Sequence, residues 1–185
     1  MKYRVKHLVE YGILRFSMGL LRLLPKPAAM MVAWLLAAFV HFIIRFRVRE
    51  AHRRLVEVFG TRYAPREIRR IAWISFRNFF FAAADAIRAS DMTPEQARIY
   101  PSYIEAMKAI DAVRHQKKGI ILALPHMGSW EQSGIVSSLA GYPILSIAGQ
   151  QRNPLFDQYI NRLRATSGSE VILRGNSVLR IILNR

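Results

Sequence analysis

The segment Gly119-Ile-Ile-Leu-Ala-Leu-Pro-His-Met-Gly-Ser-Trp-Glu131 changes character midway. Gly119–Leu124 is a short, nearly continuous apolar run that follows Lys117-Lys118. It reads as a strand buried on both faces, as in a parallel sheet. His126 then stands at the carboxyl end of that strand, where open α/β sheets bind their ligands. Gly128 permits a tight turn or a close backbone approach. Ser129 followed by Gln132 fits a capping box, so a helix is expected to start at Ser129, with Glu131 in its first turn.

From there the Glu131 carboxylate can bend back toward the His126 imidazole. A carboxylate on one ring nitrogen fixes the tautomer, and the other nitrogen is left to take a proton from a hydroxyl. That is the base and orienter of a triad, with the substrate's own hydroxyl as nucleophile. The blander readings are an acid favoured by the helix dipole and a satisfied loop histidine. Ser129 as a nucleophile would need a G-x-S-x-G elbow, and Met127 interrupts that pattern. A zinc site would need more ligands nearby, and His115 lies at the strand's opposite end. No metal or cofactor is expected, and there is no Gly-rich phosphate loop.

Downstream, Trp130–Ala140 reads as a helix ended by Gly141, Pro143–Ala148 as a second strand, and Pro154–Thr166 as a helix ended near Gly168. Glu170–Leu173 reads as a third strand and Ser177–Asn184 as a further helix. The order β-α-β-α-β-α predicts a parallel α/β arrangement. Between the second strand and its helix lies Gly149-Gln-Gln-Arg-Asn-Pro154, again at a carboxyl end. Arg152 in that loop, with Arg162 and Arg164 on the following helix, suits a phosphate or sugar-phosphate headgroup. A solvated basic helix face is the alternative for Arg162.

Upstream, the pattern is helical. Met1–Leu24 mixes five cations with many large apolar residues and reads as a basic amphipathic helix of the kind that lies on anionic lipid. Pro25-Lys-Pro27 breaks it. Ala28–Ile44 is apolar except for His41, and at 17 residues it sits at the short limit for a span. A span, a re-entrant element and an interfacial helix all fit, and a helix buried in a soluble core is the bland alternative. Basic flanks on both sides leave its orientation open. Gly60 is expected to end one helix, Pro65 to begin the next and Thr93-Pro94 a third. Phe79-Phe80-Phe81 reads as core packing, with an acyl-chain groove wall as the rival.

The chain of 185 residues carries Lys+Arg 28 against Asp+Glu 12, a formal charge of +16, with 52% hydrophobic residues and no Cys. So apolar a chain is not disordered. The absence of Cys excludes disulfides and thiol nucleophiles. The basic excess calls for an anionic partner. Nucleic acid is not expected, because no recognition motif is present and the basic residues lie close to apolar stretches.

GIILALPHMGSWE resembles the first motif of the lysophospholipid acyltransferase superfamily, and within it the bacterial lipid A biosynthesis and phosphatidylinositol mannoside acyltransferases. His126, Gly128, Trp130 and Glu131 match the H-x-G-N-W-E/D pattern, and Ser129 stands where Asn is usual. QQRNPLFDQYINRLRATSGSEVI is similar to a second block, with Asn153-Pro154, Arg164 and Gly168 in place. RVREAHRRLVEVFG is similar to the family's basic stretch, with Arg54-Leu55 where Asn-Leu is usual. The resemblance implies acyl transfer from acyl carrier protein or acyl-CoA to a hydroxyl of a membrane glycolipid. His126 would be the general base and Glu131 its orienter. Gly128, Arg152, Asn153 and Arg164 would be substrate-binding. The implied location is the cytoplasmic face of a bacterial inner membrane.

The expected organisation is a membrane-anchoring helical region, 1–46, followed by the α/β acyltransferase domain, 47–185, as the N-terminal part of a longer family domain. A lysoglycerophospholipid acyltransferase and an inactive truncated remnant are the alternatives.

Overall fold

The computed structural model of the chain describes residues 3–114, 119–142, 144–175 and 178–183. Met1, Lys2, His115, Lys117, Lys118, Pro143, Ser177 and Asn184, which entered the expectations above, lie outside the described residues.

The N-terminal half is helical. α1 (Val5–Leu23) stops before Pro25, and α2 (Lys26–Ala38) follows at once. Pro25 is fixed at φ −60° in extended backbone, which breaks the first helix. Pro27 falls in the first turn of the second, where a missing N–H costs nothing. α2 runs into a π-helical turn, Phe39–Ile44. Arg45 and Arg47 then adopt left-handed backbone, at φ 55° and 54°, and redirect the chain into α3 (Val48–Phe59). Gly60, also at positive φ, ends α3, and Pro65 opens the long α4 (Pro65–Ala89). Thr93 caps α5 (Pro94–Arg98) through a capping box with Gln96, and α6 (Pro101–Arg114) follows.

α4 is the central post, packed by α1, α2, α3 and later α7 (Trp130–Leu139). The α2 side of its contact is built from the smallest side chains. Ala29, Ala33 and Ala37 recur every fourth residue and are fully buried, with Ala84 of α4 in the same cluster. A four-residue spacing puts them on one helix face, and small residues let two helix backbones approach closely. Leu21 and the partly buried Phe80 and Phe81 complete the cluster, which bears out core packing for two of the three phenylalanines. Phe79 instead remains 58% exposed. Arg88 of α4 donates to the carbonyls of Leu21 and Leu24, closing the end of α1.

The C-terminal half is α/β. β1 (Leu145–Ala148) and β2 (Glu170–Leu173) form a two-stranded parallel sheet, with α8 (Pro154–Thr166) as the crossover. Leu145 pairs with Glu170 and Ala148 with Leu173. α9 (Val178–Leu183) follows. These two strands and the helices α7, α8 and α9 stand where the sequence puts them, whereas α6 has no counterpart among the expected elements and Gly119–Leu124 does not form the expected buried strand. It has no regular secondary structure and no ladder partners among the described residues, and Ile121 is 96% exposed. An apolar run favours burial, but a strand exists only where a neighbour satisfies its N–H and C=O groups.

Much apolar surface faces outward. Lys26–Ile44 is 19 residues long and apolar enough to cross a membrane, with only 22% of that stretch buried. α1 likewise turns Val5, Leu8, Val9, Ile13, Phe16 and Leu23 outward.

The alanine contact generates an asymmetric expectation. Ala33→Leu should overpack the α2–α4 seam and cost about 1–3 kcal/mol, read as a lowered midpoint of thermal unfolding in detergent. Leu36→Ala, on the exposed side, should leave the midpoint nearly unchanged.

Candidate active site

The loop that carries His126 leads directly into α7. Gly128 sits at φ +59°, a left-handed conformation that glycine adopts without cost, and open space surrounds its Cα. Ser129 flanks the first turn but does not cap it by side chain, contrary to the expected capping box. Its hydroxyl donates instead to the Ala82 carbonyl of α4 at 3.1 Å. Gln132, the other half of the expected box, donates to the Tyr100 hydroxyl at 3.0 Å. Both side chains are therefore drawn into tertiary contacts. They pin the start of α7 onto α4 and α5's flank, while Ile135, Val136 and Ser137 bury its inner face.

His126 is exposed, and its ring lies 5.2 Å from that of Trp130, the first residue of α7. Trp130 in turn lies 6.2 Å from Phe79 of α4. The Trp130 and Phe79 rings make an aromatic row that leads from the imidazole. The exposure of Phe79 and its place in that row favour the groove-wall reading for this one phenylalanine.

Glu131 is one residue further on. Its carboxylate is held by the Arg164 guanidinium as a two-pronged pair, with Nε donating to Oε2 at 2.9 Å and Nη2 donating to Oε1. The two side chains are 33% and 19% exposed, so the pair is partly shielded from water. A fork on a carboxylate is the strong form of an ion pair, because it fixes orientation as well as distance. It ties the first turn of α7 to the last turn of α8. No hydrogen bond joins His126 to Glu131 among the described residues.

The other residues expected at the site fall elsewhere. Asn153 is buried, and all of its amide is used. Its Oδ1 caps α8, accepting from the N–H groups of Leu155 and Phe156, and its Nδ2 donates to the His7 carbonyl and the Glu10 carboxylate of α1. It shapes the loop and does not present itself to a ligand. Arg152, beside it, is exposed, and no ion pair engages it among the described residues. Asn153 and Arg164 stand at opposite ends of α8, roughly 16 Å apart along its axis. The structure therefore groups His126, Gly128, Trp130, Glu131 and Arg164, and leaves Arg152 and Asn153 at the α1 end.

Two features escaped the sequence. The partner of Glu131 lies 33 residues away, and no local pattern announces it. The tie of α8 to α1, completed by Tyr11 edge-on to Tyr159 at 6.0 Å and by Arg15 over the Tyr159 ring, spans most of the chain. Among the described residues, no three His, Asp or Glu side chains gather as a metal site.

A family model described as bacterial lipid A biosynthesis acyltransferase matches residues 1–185. No curated protein and no solved structure matches the chain.

The Glu131–Arg164 pair should show up as coupling. In a double-mutant cycle of Glu131→Gln and Arg164→Gln, the interaction energy from chemical unfolding should be about 1–2 kcal/mol, below that of a fully buried charged hydrogen bond because water reaches both groups. Additive effects would mean that the pair does not hold α7 to α8.

Proposed function

The chain belongs to the bacterial lipid A biosynthesis acyltransferase family, and from that membership we propose that it moves a fatty acyl group from acyl carrier protein or acyl-CoA to a hydroxyl of a membrane glycolipid, with His126 as general base. The observation that carries this reading is the fork of Arg164 on Glu131, one helix position past the Trp130 ring that flanks His126. It fixes a carboxylate in the first turn of the helix into which the His126 loop leads, and the imidazole on that loop is exposed.

His126 takes the proton of the acceptor hydroxyl as its oxygen attacks the thioester carbonyl. The tetrahedral intermediate collapses, the C–S bond breaks, and His126 returns the proton to the departing thiolate. Glu131 orients the imidazole. The Arg164 fork takes one lone pair from each carboxylate oxygen and leaves the others free to accept from a ring N–H. Arg164 is then the group that positions the orienter. The open backbone at Gly128 is the place for N–H donors to the oxyanion. Arg152, at the α1 end, meets a phosphate of the acceptor headgroup, and Asn153 holds the loop that presents it.

The outward apolar faces of α1 and of Lys26–Ile44 support attachment to a membrane, and the proposed thioester donors fit a location on the cytoplasmic face of the inner membrane. An acidic carrier protein and an anionic acceptor both suit a chain of charge +16.

His126→Ala should lower acyl transfer from a radiolabelled donor into a membrane extract by at least a hundredfold and leave sedimentation with membranes unchanged. Undiminished transfer by the variant would refute the base assignment. Transfer to lysoglycerophospholipid but not to glycolipid would identify the other acceptor, and no transfer by the parent chain would identify an inactive remnant.

A further inference from the structure

The elbow between the π-helical turn and α3 has no part in the proposed chemistry. Arg45, Arg47 and Arg49 alternate through it, and none of the three has an ion-pair partner among the described residues. The acids nearby are already engaged. Glu50 accepts from Arg53 and Arg54, and Glu57 accepts from Arg53 at 2.5 Å. Hydrogen bonds first from Arg53 and then from Arg54 hold the Glu50 carboxyl down to about 2, so it is matched by its own two cations. The local balance leaves three uncompensated guanidiniums. They border, with Val48 and Glu50, an open cleft of about 670 Å³.

The elbow also exposes apolar side chains. Phe39, Phe42, Ile43, Ile44 and Phe46 are each more than half exposed. Arg47 lies along the Phe46 ring, 5.8 Å from its centre, so its charged end and an aromatic face are presented together. Left-handed backbone at two arginines, unusual for a residue with a side chain, turns the chain at the point where apolar surface gives way to charge.

We propose that the Arg45–Arg47–Arg49 elbow binds the phosphate groups of anionic phospholipid headgroups in the membrane on which the enzyme sits. The juxtaposition matches the border of a bilayer, with hydrocarbon on the Phe39–Phe46 side and phosphates at the height of the three guanidiniums. A guanidinium fork suits phosphate oxygens. The occupant is the membrane lipid rather than a soluble anion, because the apolar residues beside the cleft have no use for a soluble one. The inference rests on the membrane attachment proposed above and adds a headgroup preference to it, through a surface separate from His126.

The test is co-flotation of the full chain with vesicles of phosphatidylcholine alone or mixed with phosphatidylglycerol. The parent chain should bind both and strongly prefer the mixed vesicles. Each basic residue near an anionic surface strengthens partitioning roughly fivefold, so the triple variant Arg45→Gln, Arg47→Gln, Arg49→Gln should lose the preference by on the order of 100-fold while keeping its binding to phosphatidylcholine. The Arg→Lys triple variant should keep most of the preference. A control that removes the same charge from exposed positions elsewhere, Arg98→Gln, Arg174→Gln, Arg180→Gln, should keep it too. A glutamine triple variant that behaves like the parent, or a control that loses as much, would overturn the site. Failure of the parent chain to bind either vesicle would overturn the membrane attachment itself.

Discussion

One ion pair decides how the two halves of the active region meet. Glu131 is in the first turn of α7 and Arg164 in the last turn of α8, and neither helix could slide along the other without breaking a two-pronged contact. α7 is held to α4 through Ser129, and its buried Val136 packs with Ala97 of α5 and Met107 of α6. The loop with His126 emerges from the point where these constraints converge. Its own residues are exposed and make few contacts, so the anchors on either side set where the imidazole can be.

The helical frame follows a different logic. Residues on α2 are divided between Ala29, Ala33 and Ala37, which are buried, and large side chains, most of which are not. The hydrophobic content of a helix is usually spent on its inner face. Here the inner face is the least bulky and the outer face the most apolar. That inversion is what a helix shows when its surroundings, and not only its protein partner, are oily. α1 shares only the outward half of that pattern: it buries the large Met18 and Leu21 and still turns Val5, Leu8, Val9, Ile13, Phe16 and Leu23 outward.

Local signals proved reliable where the chain punctuates itself. Pro65, Thr93-Pro94, Gly60 and Pro154 mark helix ends, and the structure puts the ends there, because a missing N–H or a left-handed glycine acts without reference to the rest of the fold. The Ser129–Gln132 box failed because Ala82 and Tyr100, distant in sequence, competed for the same side chains. Gly119–Leu124 failed for a related reason, since pairing depends on a neighbour that its own composition cannot supply. At the candidate site, His126, Gly128, Glu131 and Arg164 were visible as a motif. The use of Asn153 as a cap and a tether to α1 was not, because its partners His7 and Glu10 lie at the other end of the chain.

The alanine seam between α2 and α4 also shapes how this region can drift over generations. Positions 29, 33 and 37 admit little beyond Ala, Gly or Ser, since any larger group wedges the backbones apart. The outward positions between them need only remain oily, and Leu, Ile, Met, Phe and Trp are interchangeable there. Descendants of this chain would keep a four-residue rhythm of tiny side chains under a coat that changes freely in identity, a pattern of variation opposite to that of a water-soluble bundle.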